Sequence, residues 1–76
     1  MSELSSQIEA ILYLKAQPLT LAEIAECVGC DRPTAEAGLL ELMELYAHRL
    51  GALEVAETPN GFVLQLRDSF HYLIQK

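Results

Sequence analysis

The stretch TLAEIAECVGCDRPTAEAGLLELMELYAHRL, residues 20–50, decides how the chain is organised. Thr20 and Glu23 have the spacing of a capping box: the hydroxyl can accept the Glu23 N–H, and the carboxylate can reach back to the Thr20 N–H. Leu19 and Ile24 occupy the positions of a hydrophobic staple around that cap. Leu21, Ile24, Ala25 and Val28 then follow a helical period, and Gly29 supplies a left-handed stop. Asp31 can cap a second helix whose first turn tolerates Pro33, because an N–H there has no intrahelical partner to lose. Ala35, Leu39, Leu42, Met43, Tyr46 and Leu50 share one stripe of that helix, and Gly51 is the expected terminator. This pattern predicts two helices, over 21–28 and 32–50, joined as a helix-turn-helix.

Upstream, a helix is expected over 3–16, capped by Ser6 with Glu9 or by Ser2, with Leu4, Ile8, Ile11, Leu12 and Lys15 on one face. Pro18 ends it by disfavouring helical geometry at Gln17, and Leu19 is expected in a very short strand. Downstream of Gly51 the apolar period falls from 3.6 to 2. Leu53 and Val55 alternate with Glu54 and Ala56, and Phe62, Leu64 and Leu66 alternate with Val63, Gln65 and Arg67. The turn formers Thr58-Pro59-Asn60-Gly61 lie between the two runs, so a β-hairpin over 53–57 and 62–66 is expected. The fold class is therefore mainly α with a small hairpin, a winged helix-turn-helix over residues 1–67. Residues 68–76 read as the start of a further helix, capped by Asp68 or Ser69, that leads towards a second domain.

Helices placed like the second one of this motif usually enter the DNA major groove, led by Arg, Lys, Asn or Gln. Here Asp31, Glu36, Glu41 and Glu44 outweigh Arg32 and Arg49. The whole chain carries a net charge of −6, with its five basic residues scattered and none at the wing tip. A phosphate backbone repels such a surface. The two readings that remain are a protein-interaction domain and, as the alternative, a DNA-binding winged-helix transcriptional regulator.

A chain of 76 residues makes one small domain, whose core supplies only about 3–5 kcal/mol of net stability. With 51% of its residues apolar, the chain has more greasy surface than so small a core absorbs, which points to burial against a second copy. Tyr13, Leu14, Leu40, Leu45 and Val63 fall off the core stripes and are the candidate interaction surface. Cys27 and Cys30 form a CxxC at a helix end rather than at a helix start, and His48 and His71 are too scattered to complete a zinc site. Packing is the reading for both cysteines, with no metal, cofactor or catalytic residue expected. No run of eighteen apolar residues and no signal peptide is visible, and two cysteines without a secretion signal suit a reducing cytoplasm.

The run from Ile8 to Ala25, with Ile8-Glu9-Ala10-Ile11-Leu12-Tyr13 leading to Pro18-Leu19 and then Ala22-Glu23-Ile24-Ala25, resembles the opening of the segregation and condensation protein B (ScpB) family. The stretch Leu53–Arg67 is similar to that family's wing, and the turns at Asp31–Thr34 and Thr58–Gly61 look most like cyanobacterial members. The resemblance implies a non-catalytic subunit of the bacterial condensin, a homodimer that binds the kleisin subunit (segregation and condensation protein A). Through the kleisin it implies contact with the SMC ATPase, in chromosome condensation and segregation. It also implies a nucleoid-associated cytoplasmic location, with neither strong direct nucleic-acid binding nor a membrane.

Overall fold

The computed structural model describes residues 1–74. Its elements run α1 (Glu3–Lys15), α2 (Leu21–Val28), α3 (Arg32–Ala47), β1 (Leu53–Thr58), β2 (Gly61–Leu66) and a 3-10 turn (Asp68–Leu73). This is the winged helix-turn-helix expected from the periodicity.

The local chemistry of α2 is the one expected. Thr20 accepts the Glu23 N–H at 3.2 Å and Glu23 accepts the Thr20 N–H at 2.8 Å. At the other end Gly29 adopts φ 83°, and the N–H groups of Gly29 and Cys30 both donate to the Ala25 carbonyl, at 2.8 and 3.0 Å. A left-handed cap with a second bond from the residue after it is commonly accompanied by an apolar contact with the last helical turns, and Cys30 is half-buried against the core there. Asp31 caps α3 by accepting the Thr34 N–H at 2.8 Å.

The core is built by the stripes: Ile8 and Leu12 from α1, Leu19, Ile24 and Ala25 from α2 and its approach, Ala35, Leu39, Leu42 and Tyr46 from α3, and Val55 from the wing. Leu4 and Ile11 pack at its margin. Helices α1 and α3 approach closely at Gly38, where a Cβ would lie only 2.7 Å from Leu4 Cγ. The wing is an antiparallel pair with Leu53 opposite Leu66 and Thr58 opposite Gly61. Its second strand is pinned to the helical body by Leu19, which exchanges two backbone hydrogen bonds with Phe62, at 2.9 and 2.7 Å. That bridge is the very short strand expected at Leu19.

Four features differ from the sequence reading. First, α3 stops at Ala47, three residues short of Leu50. The Arg67 guanidinium takes the Tyr46 and Arg49 carbonyls at 2.6 and 3.2 Å, so the helix end is satisfied by a distant side chain. The chain turns at once towards β1. Leu50, one helical step beyond Tyr46 on paper, is 100% exposed and belongs to no core stripe. Second, the cap of α1 is Ser2, not Ser6. Its oxygen accepts the Ser5 N–H at 3.1 Å while its own N–H and hydroxyl donate to Glu41 of α3, and Glu9 is drawn instead to Tyr46. Third, residues 68–73 form a 3-10 turn rather than the first turns of an α-helix, and neither Asp68 nor Ser69 caps it. The Arg67 N–H is still paired to Ala52, at 2.7 Å, which holds the chain to the sheet and leaves i→i+3 bonds from Phe70 to Arg67 and from Ile74 to His71. The last part of the helix expected over 68–76 lies outside the described residues. Fourth, Leu53 is exposed rather than buried, and every residue of β2 is half-buried, so the wing's two faces are less different than its alternation implies.

Candidate protein-interaction surface

Helix α3 carries Arg32, Glu36, Glu41 and Glu44, with Arg49 just past its end, all exposed. Arg49 lies over the Tyr46 ring at 5.0 Å, so one of the two bases is folded back onto the protein. Glu41 is bound by the Ser2 hydroxyl at 2.5 Å and the Ser2 N–H at 3.2 Å. Those bonds from Ser2, together with the nearby Ser5 hydroxyl, hold its carboxyl below the usual carboxylate range. Thr34 does the same for Asp31, first through its side chain and then through the cap bond from its N–H. The helix that would face a duplex is therefore firmly anionic, and the wing tip Thr58–Gly61 has no cation to compensate.

The structure separates the five candidate interaction residues into distinct neighbourhoods. Tyr13 and Leu14 stand on the outer side of α1, 73% and 75% exposed. Tyr13 borders a shallow depression with Glu9, Ala10, Tyr46, Leu53 and Leu64, which joins α1 to the wing in one apolar area. Leu40, 59% exposed, lies on the flank of α3 that faces β1, where Met43, Glu44, Ala47, Glu54, Val55 and Arg67 complete a groove. Leu45, 39% exposed, lies on the opposite flank beside Met1, His48 and Arg49. Val63 is half-buried on β2 opposite Ala56. Tyr13 and Leu14 are thus neighbours, whereas Leu40 and Leu45 are divided by the width of α3.

Tyr46 joins these areas. Its ring is buried, its hydroxyl donates to Glu9, and burial followed by the Glu9 carboxylate pushes its pKa above the ordinary tyrosine value. Sequence reasoning placed Tyr46 on the core stripe but had no signal for its hydroxyl partner 37 residues away. It also missed Leu53, because an apolar residue alternating in a strand reads as core, and Arg67, because its three carbonyl partners come from Tyr46, Arg49 and Leu53.

Both cysteines are free thiols; Cys30 is half-buried against the core as the packing reading expects, whereas Cys27 is exposed and does not pack there, because it lies off the Leu21–Ile24–Ala25–Val28 stripe of α2. His48 meets the Glu44 carbonyl at 3.0 Å, and His71 meets the Leu66 carbonyl at 3.3 Å, so each bonds to the backbone a few residues upstream of itself. Among the described residues no three His, Cys, Asp or Glu side chains are gathered to hold a metal ion, and no helix is long and apolar enough to cross a membrane.

Comparison with known proteins gives a consistent result. No curated protein matches the sequence. In shape the chain is similar to a solved structure described as the dimer of the ScpB N-terminal domain complexed with ScpA peptide. The TM-score is 0.86 at 18% identity, over 99% of this chain and 90% of that one. At that identity the likeness speaks for the fold. The sequence itself matches the model of a family described as segregation and condensation complex subunit ScpB, from residue 6 to residue 76. The match takes in most of α1 and all of α2, α3 and the wing, and the chain belongs to the ScpB family.

Proposed function

We propose that this winged-helix domain acts as a non-catalytic assembly unit of a bacterial SMC–kleisin condensin, in chromosome condensation and segregation. It pairs with a second copy of itself and takes part in holding the kleisin subunit, through which it reaches the SMC ATPase at the nucleoid. The observation that carries this reading is the family match over residues 6–76. The similar solved domain is described as a dimer with a bound ScpA peptide, which supports both halves of it. The anionic α3 and the uncharged wing tip argue in the same direction, since they remove the electrostatic grip that duplex binding needs.

For self-association the surface around Tyr13, flanked by the exposed Leu14, is the best-formed of the candidates, because Ala10, Leu53 and Leu64 extend the Tyr13 side across two elements. Leu40, Leu45 and Val63 occupy other faces and would join the same interface only at its edges. Light scattering is the direct test. A mass near twice 8.4 kDa at tens of micromolar is expected, falling to 8.4 kDa in Leu14→Glu. A monomer in the wild type, or nanomolar binding of duplex DNA at physiological salt, would overturn the reading.

A further inference from the structure

The wing has one edge that nothing covers. Phe62 turns its N–H and C=O away from β1 to meet Leu19, so the Glu57–Phe62 pair is one of the non-hydrogen-bonded pairs of the ladder. Alternation then sends the N–H and C=O groups of Leu53, Val55 and Glu57 outward from the other side of β1. The Leu53 carbonyl is taken by Arg67 Nε at 3.0 Å. Among the described residues the outward N–H and C=O groups of Val55 and Glu57 have no partner. An open strand edge of this kind is a template for another strand.

The edge does not stand alone. Beside it runs the groove between β1 and α3, with Leu40, Met43 and Ala47 on the helix side and Val55 on the strand side. Glu44 and Glu54 stand at its rim, and the exposed Glu57 stands further along the strand. The single cation in the lining, Arg67, is committed to the carbonyls of Tyr46, Arg49 and Leu53. The groove and the strand edge beside it therefore present backbone donors and acceptors, an apolar wall and a net negative charge, since Glu44, Glu54 and Glu57 outnumber Arg67.

We propose that β1 accepts an extended segment of a partner protein as an added strand, one whose side chains alternate between apolar and basic. Its backbone pairs with Val55 and Glu57, its apolar side chains enter against Leu40, Met43 and Ala47, and its basic side chains meet Glu44, Glu54 and Glu57. Strand addition takes affinity from main-chain bonds and specificity from the alternate side chains, which suits a groove only one strand wide. The site adjoins the self-association surface at Tyr46 and Leu53 but is centred on a different face, and the two are tested by different substitutions, Leu14→Glu for self-association and Leu40→Ser for the added strand.

The test uses the full chain, labelled with 15N, and a short capped peptide of alternating lysine and valine as probe. A peptide of alternating glutamate and valine is the control. Binding of the basic probe below about 1 mM is expected, with slowed amide exchange at Val55 and Glu57 and little binding of the acidic control. Glu57→Pro removes an outward N–H and leaves the β1–β2 ladder whole, and Leu40→Ser alters an exposed side chain. Each should keep its amide spectrum outside β1 and weaken the probe at least about tenfold. The proposal is overturned if neither peptide binds, if the acidic control binds as well as the basic one, or if both variants bind like the wild type. It is also overturned if Val55 and Glu57 become protected on concentrating the protein alone, since the occupant is then a second copy.

Discussion

Gly61→Ala is the substitution that tests the architecture most severely. A Cβ on Gly61 would lie 2.4 Å from both the carbonyl carbon and the oxygen of Leu19 and 2.8 Å from the Thr20 nitrogen. All three atoms are backbone, so no side chain can swing away. The glycine also holds φ 128°, a conformation that costs an L residue about 1–3 kcal/mol. Relief of the clash means moving the wing off Leu19 and giving up its two bonds to Phe62, at about 1 kcal/mol each. The Thr20–Glu23 capping box, whose N–H donor is the clashing Thr20 nitrogen, is disturbed as well. The combined loss is about 3–5 kcal/mol, comparable to the whole net stability of a domain this small. Urea denaturation followed by circular dichroism should find Gly61→Ala largely unfolded without denaturant. Asn60→Ala, one residue earlier at the exposed turn, should stay within about 0.5 kcal/mol of wild type. A loss below about 1 kcal/mol for Gly61→Ala, with the Leu19 and Phe62 amides still protected from exchange, would refute the claim that the wing is seated by backbone contact at that point.

Three further outcomes are expected. Arg67→Met strips the end of α3 of its distant cap and should cost about 2 kcal/mol by denaturant titration, with Arg67→Lys recovering part of it because an ammonium cannot bridge the same carbonyls in a plane. Ala16 ends α1 in the left-handed region at φ 53°, so Ala16→Gly should raise the unfolding free energy by about 0.5–1 kcal/mol, read as a higher urea midpoint. The Glu41 carboxyl sits below its ordinary range in the folded state, so its contribution is present above the unfolded carboxylate value, near pH 4, and is lost as pH falls through the folded one. Glu41→Gln should accordingly lower the Tm at pH 7, and the gap to wild type should close on acidification to about pH 3; a gap that stays constant with pH would count against the Ser2–Glu41 link.

The elements themselves were legible because their signals are local. The Thr20–Glu23 box, Gly29 and the Asp31-Arg32-Pro33 start each involve residues within one helical turn, and the structure keeps all of them. The wing could be read from a period of two flanking Thr58-Pro59-Asn60-Gly61, and the doubt about duplex binding from counting acids and bases. Family resemblance then carried the reading from an interaction domain to a condensin subunit, and the match over residues 6–76 confirms the family.

The departures share a different physics. Leu50 looked like the next residue of a stripe, but where α3 ends depends on Arg67, which no window of sequence joins to Tyr46. Ser6 with Glu9 has the capping-box spacing and Ser2 is the alternative; the structure uses Ser2, which also binds Glu41 of another helix. Periodicity also sorts residues only into facing the core or not. It could name Tyr13, Leu14, Leu40 and Leu45 as off-stripe, yet not that Tyr13 shares a depression with the wing or that Leu40 and Leu45 lie on opposite flanks of α3. Sequence alone determined the helices, the hairpin, the core stripes and the negative charge, because these follow from bonds and spacings a few residues long. Tertiary structure alone decided where helices stop, which apolar side chains meet at the surface and which strand edge stays open, because those depend on hydrogen bonds and contacts between residues far apart in the chain.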